Sequence, residues 1–146
     1  MSKRDKIYQE FSENGYPTDP EEKKEFAARL LGARLVGALD SVLEDKLKVL
    51  KGTETENNNP NYKAIRTLND DQKEAVEALL KDSCRIYFYR MLLKMRNFPD
   101  YLEVNVMELD EETDTLKKIC DVGDEIELHH RYFDWIEEFS DNIDEA

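Results

Sequence analysis

His130 follows Glu127 by three residues and precedes Asp134 by four, so on a helix the three side chains would share one face. Glu-x-x-His is the spacing by which carboxylate-bridged di-iron bundles hold their metals, but such a centre takes a second helix with the same motif. The only other histidine, His129, is adjacent. Neighbours on a helix point about 100° apart, so the pair is poorly placed to chelate one ion. Glu127, His130 and Asp134 therefore define an alternative reading, a small-ligand or metal-dependent enzyme or sensor. A surface histidine kept protonated by flanking acids accounts for the same residues.

Asp110, Glu112 and Asp114 imitate the alternating oxygens that open a calcium loop. Threonine or leucine stands where the sixth residue of such a loop must be glycine, and no glutamate falls at the twelfth, which excludes an EF-hand. Cys84 and Cys120 have no metal-ligand spacing and no disulfide framework, and read as small buried thiols of a reducing cytosol. The chain has five glycines, no Gly-x-Ser-x-Gly elbow and no glycine-rich phosphate loop after a strand. Tyr87, Phe88, Tyr89, Tyr132 and Trp135 could line a ligand pocket, but at helical spacing they read as core. No catalytic residue, cofactor or metal is expected.

Charge is the remaining signal. Of the net −13, residues 100–146 carry −14, with 17 Asp and Glu against Lys117, Lys118 and Arg131, whereas residues 1–99 sum to +1. Such a segment repels a phosphate backbone, so direct nucleic-acid binding is not expected. Asp134 lies three and four residues before Glu137 and Glu138, like-charge pairs that each cost a few tenths of a kcal/mol on a helix. A charge-matched basic protein explains the concentration of acid better than solubility alone. The expected partner-binding residues are Asp110, Glu111, Glu112, Asp114, Glu127, Asp134, Glu137, Glu138 and Asp141.

The elements that must position these residues are legible from caps and periods. Residues 3–11 can form a short helix that puts Ile7, Tyr8 and Phe11 on one side, stopped at Asn14-Gly15. Asp19-Pro20-Glu21-Glu22 supplies an N-cap, a proline at the first helical position and a glutamate to close a capping box, so a helix runs to Lys51 with Gly52 as C-cap. Phe26, Leu30, Ala33, Gly37, Leu43, Leu47 and Leu50 mark its core face. Its small residues, Gly32, Ala33, Gly37, Ala38 and Ser41, predict a close helix crossing within the chain or across a homodimer. Residues 53–67, rich in asparagine, read as a flexible loop. Residues 69–98 form a second long helix, begun by the reciprocal pair Asn69 and Gln72, ended by Pro99 and carrying Val76, Leu79, Leu80, Ile86, Tyr87 and Leu93. This helix is expected to be the one on which the rest packs.

After Pro99 the period changes to two. Residues 101–109 place Leu102, Val104 and Val106 opposite Glu103, Asn105 and Met107, a half-buried strand; residues 110–114 turn and residues 115–120 pair back. Residues 121–124 break this strand and a last helix, 125–140, stacks Leu128, Tyr132, Trp135, Ile136 and Phe139 in one stripe. The fold class is α+β, mainly helical, in a single domain over residues 1–146: two long antiparallel helices, an acidic β-hairpin and a C-terminal helix. With no run of eighteen apolar residues and no signal-peptide pattern at the start, the expectation is a soluble cytoplasmic protein.

The ending HHRYFDWIEEFSDN, with LNDDQKEAVEALLKDS before it, resembles small uncharacterised acidic bacterial proteins that close on a WIEEFS-type helix. More loosely it resembles acidic immunity proteins that neutralise toxins. No binding residue carries over, because the shared pattern is helix period and acid. With the acid face, the expectation is a bacterial or phage protein that acts by binding: carboxylates on the hairpin tip and last helix occlude a basic surface of another protein as a nucleic-acid mimic, which fits a toxin-immunity protein or a phage-encoded inhibitor of a nuclease.

Overall fold

The computed structural model describes residues 2–53, 59–96, 104–122 and 126–144. Its elements are α1 (Asp5–Asn14), α2 (Pro20–Lys51), α3 (Pro60–Arg66), α4 (Asp70–Arg96), β1 (Asn105–Asp110), β2 (Thr115–Asp121) and α5 (Tyr132–Phe139). The protein is α+β and mainly helical, with one two-stranded antiparallel sheet among the described residues.

Local chemistry sets the helix ends. The Asp19 carboxylate accepts from the amides of Glu21 and Glu22 at 3.0 Å each, and Gly52 closes α2 in the left-handed region at φ 72°. Asn69 and Gln72 cap α4 reciprocally, at 3.0 and 2.9 Å. Pro99 and residues 101–103 of the expected strand lie outside the described residues. The loop expected over 53–67 gives way to α3 from Pro60 onward. Asn59 caps it by accepting from Asn61, Pro60 presets the first helical φ, and Tyr62 receives the Lys46 ammonium at 2.8 Å.

The helix on which the rest packs is α2, not α4. α2 touches α1, α3, α4, α5 and β2. It buries Phe26, Leu30, Ala33, Val36, Leu43, Leu47 and Leu50 in one core, joined there by Phe88 and Leu92 of α4. α4 turns Val76, Leu80, Cys84, Met91 and Met95 partly inward, whereas Leu79, Ile86 and Tyr87 face solvent. Apolar residues are distributed around α4, and only one face of it meets α2.

The two glycines of α2 lie under large side chains. A Cβ on Gly32 would lie 2.5 Å from three atoms of the Trp135 indole, and one on Gly37 would lie 3.2 Å from Nε of Arg4. The glycines seat two large side chains, Trp135 from α5, which packs on α2 at Gly32, and Arg4 from the N-terminal segment at Gly37.

β1 pairs with β2 through Val106↔Cys120, Met107↔Lys118, Glu108↔Lys117, Leu109↔Leu116 and Asp110↔Thr115, with a register shift between Val106 and Met107. Val106 and Cys120 pack on the core, and opposed residues share a face of a sheet, so Met107, Leu109, Leu116 and Lys118 form the outer face. The expected helix over 125–140 is shorter, starting at Tyr132, because Glu127 is left-handed at φ 51° and the chain turns there. Ile126 and Leu128, two apart, would point to opposite sides of a helix, and the turn buries both.

Candidate acidic docking surface

The acidic C-terminal segment straps α2 between Lys23 and Asp40. Lys23 Nζ donates to Glu108 at 2.8 Å. Glu25 accepts the Arg131 fork, with both oxygens at 2.7 Å. Arg29 pairs with Glu138, Gly32 seats Trp135, and Asp40 receives the residues after α5. Lys23 and Asp40 are 17 positions apart, a strap of about 25 Å at the helical rise.

The far end of the strap is a buried polar clamp. Asp40 is 1 % exposed, and its oxygens accept from Arg4 Nη1 at 2.5 Å, Ser140 Oγ at 2.7 Å and the Asp141 amide at 2.8 Å. Arg4 also donates to the Phe139 carbonyl at 2.6 Å. Asp141 accepts from the Ser2 hydroxyl at 2.6 Å and the Lys3 amide at 2.9 Å. Both ends of the chain are thus tied to one carboxylate in the middle of α2. The clamp was readable in part: Asp40 interrupts the stripe Ala33, Val36, Leu43, Leu47, and an acid in a core stripe demands a partner.

This architecture divides the nine acids expected to bind a partner. Asp110 builds the hairpin turn, accepting from the amides of Glu112 and Thr113 at 3.1 and 3.2 Å and pairing with Lys117. The Lys117 ammonium and those amides hold its carboxyl below the usual range. Glu138 is paired with Arg29, and Asp141 belongs to the clamp. Burial pushes the Asp141 carboxyl up, but the Ser2 hydroxyl, the Lys3 amide and the charges of Arg4 and Lys3 outweigh it and the net shift is downward. Glu127 lies 3.4 Å from His130 Nδ1 across the turn. Because Glu127 is outside any helix, Glu127, His130 and Asp134 do not form the shared helical face expected of them. Glu111, Glu112, Asp114, Asp134 and Glu137 are exposed, and none has an ion pair among the described residues.

Among the described residues no three or more His, Cys, Asp or Glu side chains are grouped to hold a metal ion. No described helix is long and apolar enough to cross a membrane. Of the aromatics, Phe88, Tyr132 and Trp135 are core, whereas Tyr87 is 69 % exposed, contrary to its helical-period reading. Tyr89 and Tyr132 line an open cleft of about 270 Å³ with Arg85, Ile86 and Phe133. Burial pushes the Cys84 thiol up, which disfavours a nucleophilic thiolate there. No family model, curated protein or solved structure matches the chain.

The strap makes stability pH-dependent in a defined direction. The hydrogen-bonded fork of Arg131 lowers the Glu25 pKa, and Asp141 is lowered as described. A depressed carboxylate contributes stability that is complete above its unfolded pKa of about 4 and is lost as pH falls through the folded value. The double variant Glu25→Gln, Asp141→Asn should therefore be less stable than the parent at pH 7 and lose less stability on going to pH 3. Urea midpoints at the two pH values measure this, and equal losses in parent and variant would refute the linkage.

Proposed function

We propose that this protein acts by binding rather than catalysis, and that its acidic surface occludes a basic surface of a protein partner, in the manner of a toxin-immunity protein or a phage-encoded nuclease inhibitor. The observation that carries this reading is the −14 balance of residues 100–146, together with the exposure of Glu111, Glu112, Asp114, Asp134 and Glu137. Exposed carboxylates without an ion pair cost the fold a little by mutual repulsion, and a Lys- and Arg-rich partner relieves it. A surface that normally holds phosphates offers such cations, so the acids would stand in for a nucleic-acid backbone. The proposed setting is the cytoplasm of a bacterial cell.

Affinity capture with the parent and with a five-amide variant (Glu111→Gln, Glu112→Gln, Asp114→Asn, Asp134→Asn, Glu137→Gln) identifies the partner as the protein retained by the first and lost by the second. Amides keep the shape and remove the charge, and none of the five positions is used by the strap. Steering predicts that the variant associates at least about tenfold more slowly at 0.01 M salt, with the gap shrinking as the screening length falls from about 30 to about 10 Å at 0.1 M. Equal association rates at every salt concentration would reduce the acids to a soluble surface.

A further inference from the structure

Met107, Leu109 and Leu116 on the outer face of the hairpin are exposed, and their chemistry differs from that of the tip beside them. Residues 111–118 are exposed without interruption, so this half of the hairpin stands away from the core that Val106, Cys120 and Val122 join. On the outer face Leu109 and Leu116 oppose each other at 53 % and 65 % exposure, with Met107 alongside at 38 %. Directly opposed side chains have Cβ atoms about 5 Å apart, so the two leucines make one continuous apolar ridge. The ridge is also held in shape. The Asp110 turn bonds, the Asp110 to Lys117 pair and Asp114 in the left-handed region at φ 51° fix the tip.

A preorganised apolar ridge beside unneutralised acids is the pattern of a binding anchor ringed by steering charge. Building on the occlusion reading above, we propose that Met107, Leu109 and Leu116 insert into an apolar groove of the basic partner, whose Lys and Arg rim meets Glu111, Glu112 and Asp114. Charge selects this occupant over a second copy of the chain. Two hairpins packed ridge to ridge would bring six tip carboxylates together, and charged tips are how exposed strands avoid self-pairing. The anchor and the acids then have separate effects: the ridge sets how long the complex lasts, and the acids set how fast it forms.

Two peptides of equal charge serve as probes, an oligolysine and an alternating leucine-lysine peptide with the same number of lysines. At 0.15 M salt the parent should bind the leucine-lysine peptide at least tenfold more tightly than the oligolysine, with amide perturbations concentrated at residues 107–118. Leu109→Thr with Leu116→Thr should bind both peptides alike, at the oligolysine level, while Leu109→Val with Leu116→Val keeps the preference; threonine and valine both suit strands, so the hairpin is retained. No preference in the parent, or a preference that survives the threonine pair, would overturn the anchor. So would a parent dimer in sedimentation that the threonine pair dissociates, because the ridge would then belong to a second copy. The five-amide variant separates the two ideas: if it binds oligolysine as the parent does, acidic docking fails, whereas the leucine preference is read independently of that outcome.

Discussion

Replacing Arg4 by alanine should destabilise the protein by about 3 to 5 kcal/mol, since removing one partner strands a buried charge. Asp40 is 1 % exposed and would keep the Ser140 hydroxyl and the Asp141 amide, so the lower end of that range is expected. At 2 to 4 °C per kcal/mol for a domain of this size, the melting temperature should fall by on the order of 10 °C. In an Asp40→Asn background the same Arg4→Ala change should cost much less, because no charge is left to strand. The coupling between the two changes distinguishes the clamp from a general loss of packing. Equal costs in both backgrounds would show that Arg4 does not neutralise Asp40. Protease susceptibility near Ser2 and Asp141 should rise in Arg4→Ala as well, because one guanidinium joins both ends of the chain to α2.

Gly32→Ala is the second large effect, and its sign decides between two principles. In an exposed helix interior, alanine would stabilise by about 1 kcal/mol over glycine. At Gly32 the new Cβ would meet Cδ2, Cε2 and Nε1 of Trp135 at 2.5 Å, closer than real contacts come, and that indole is fully buried. Moving it displaces α5 from α2, and overpacking of this kind costs about 1 to 3 kcal/mol. The clash should exceed the propensity gain, leaving a net loss that chemical denaturation resolves. Trp135→Leu, itself destabilising through the cavity it opens, should make Gly32→Ala neutral or favourable. A Gly32→Ala variant more stable than the parent would refute the seating of the indole on this glycine. Gly37 faces Arg4 Nε at 3.2 Å, a milder approach than the 2.5 Å at Gly32, so alanine there should cost less than at Gly32.

The features legible before folding are those written within a few residues of chain. Asp19 with Pro20, Asn69 with Gln72, and Gly52 each act on amides or carbonyls no more than one turn away, so their residue types suffice to place helix ends. The alternation through Val106 and Met107 marked a strand for the same reason, and mainly helical α+β followed. α3 was missed because the asparagines before it read as loop, although Asn59-Pro60 is a local start signal. Tertiary structure alone decided which helix is central, since the apolar residues of α4 are many but lie around it, and burial depends on which face meets α2. It also decided the roles of the acids. Asp110, Glu138 and Asp141 look no different in sequence from Glu111, Glu112 and Glu137, yet the first three are spent on Lys117, Arg29 and the clamp. Asp40 finds its partners 36, 100 and 101 residues away, and Gly32 meets an indole more than a hundred positions downstream. Contacts at such separations form only once the chain has folded back on α2, because no local preference of a single residue encodes what it will meet there.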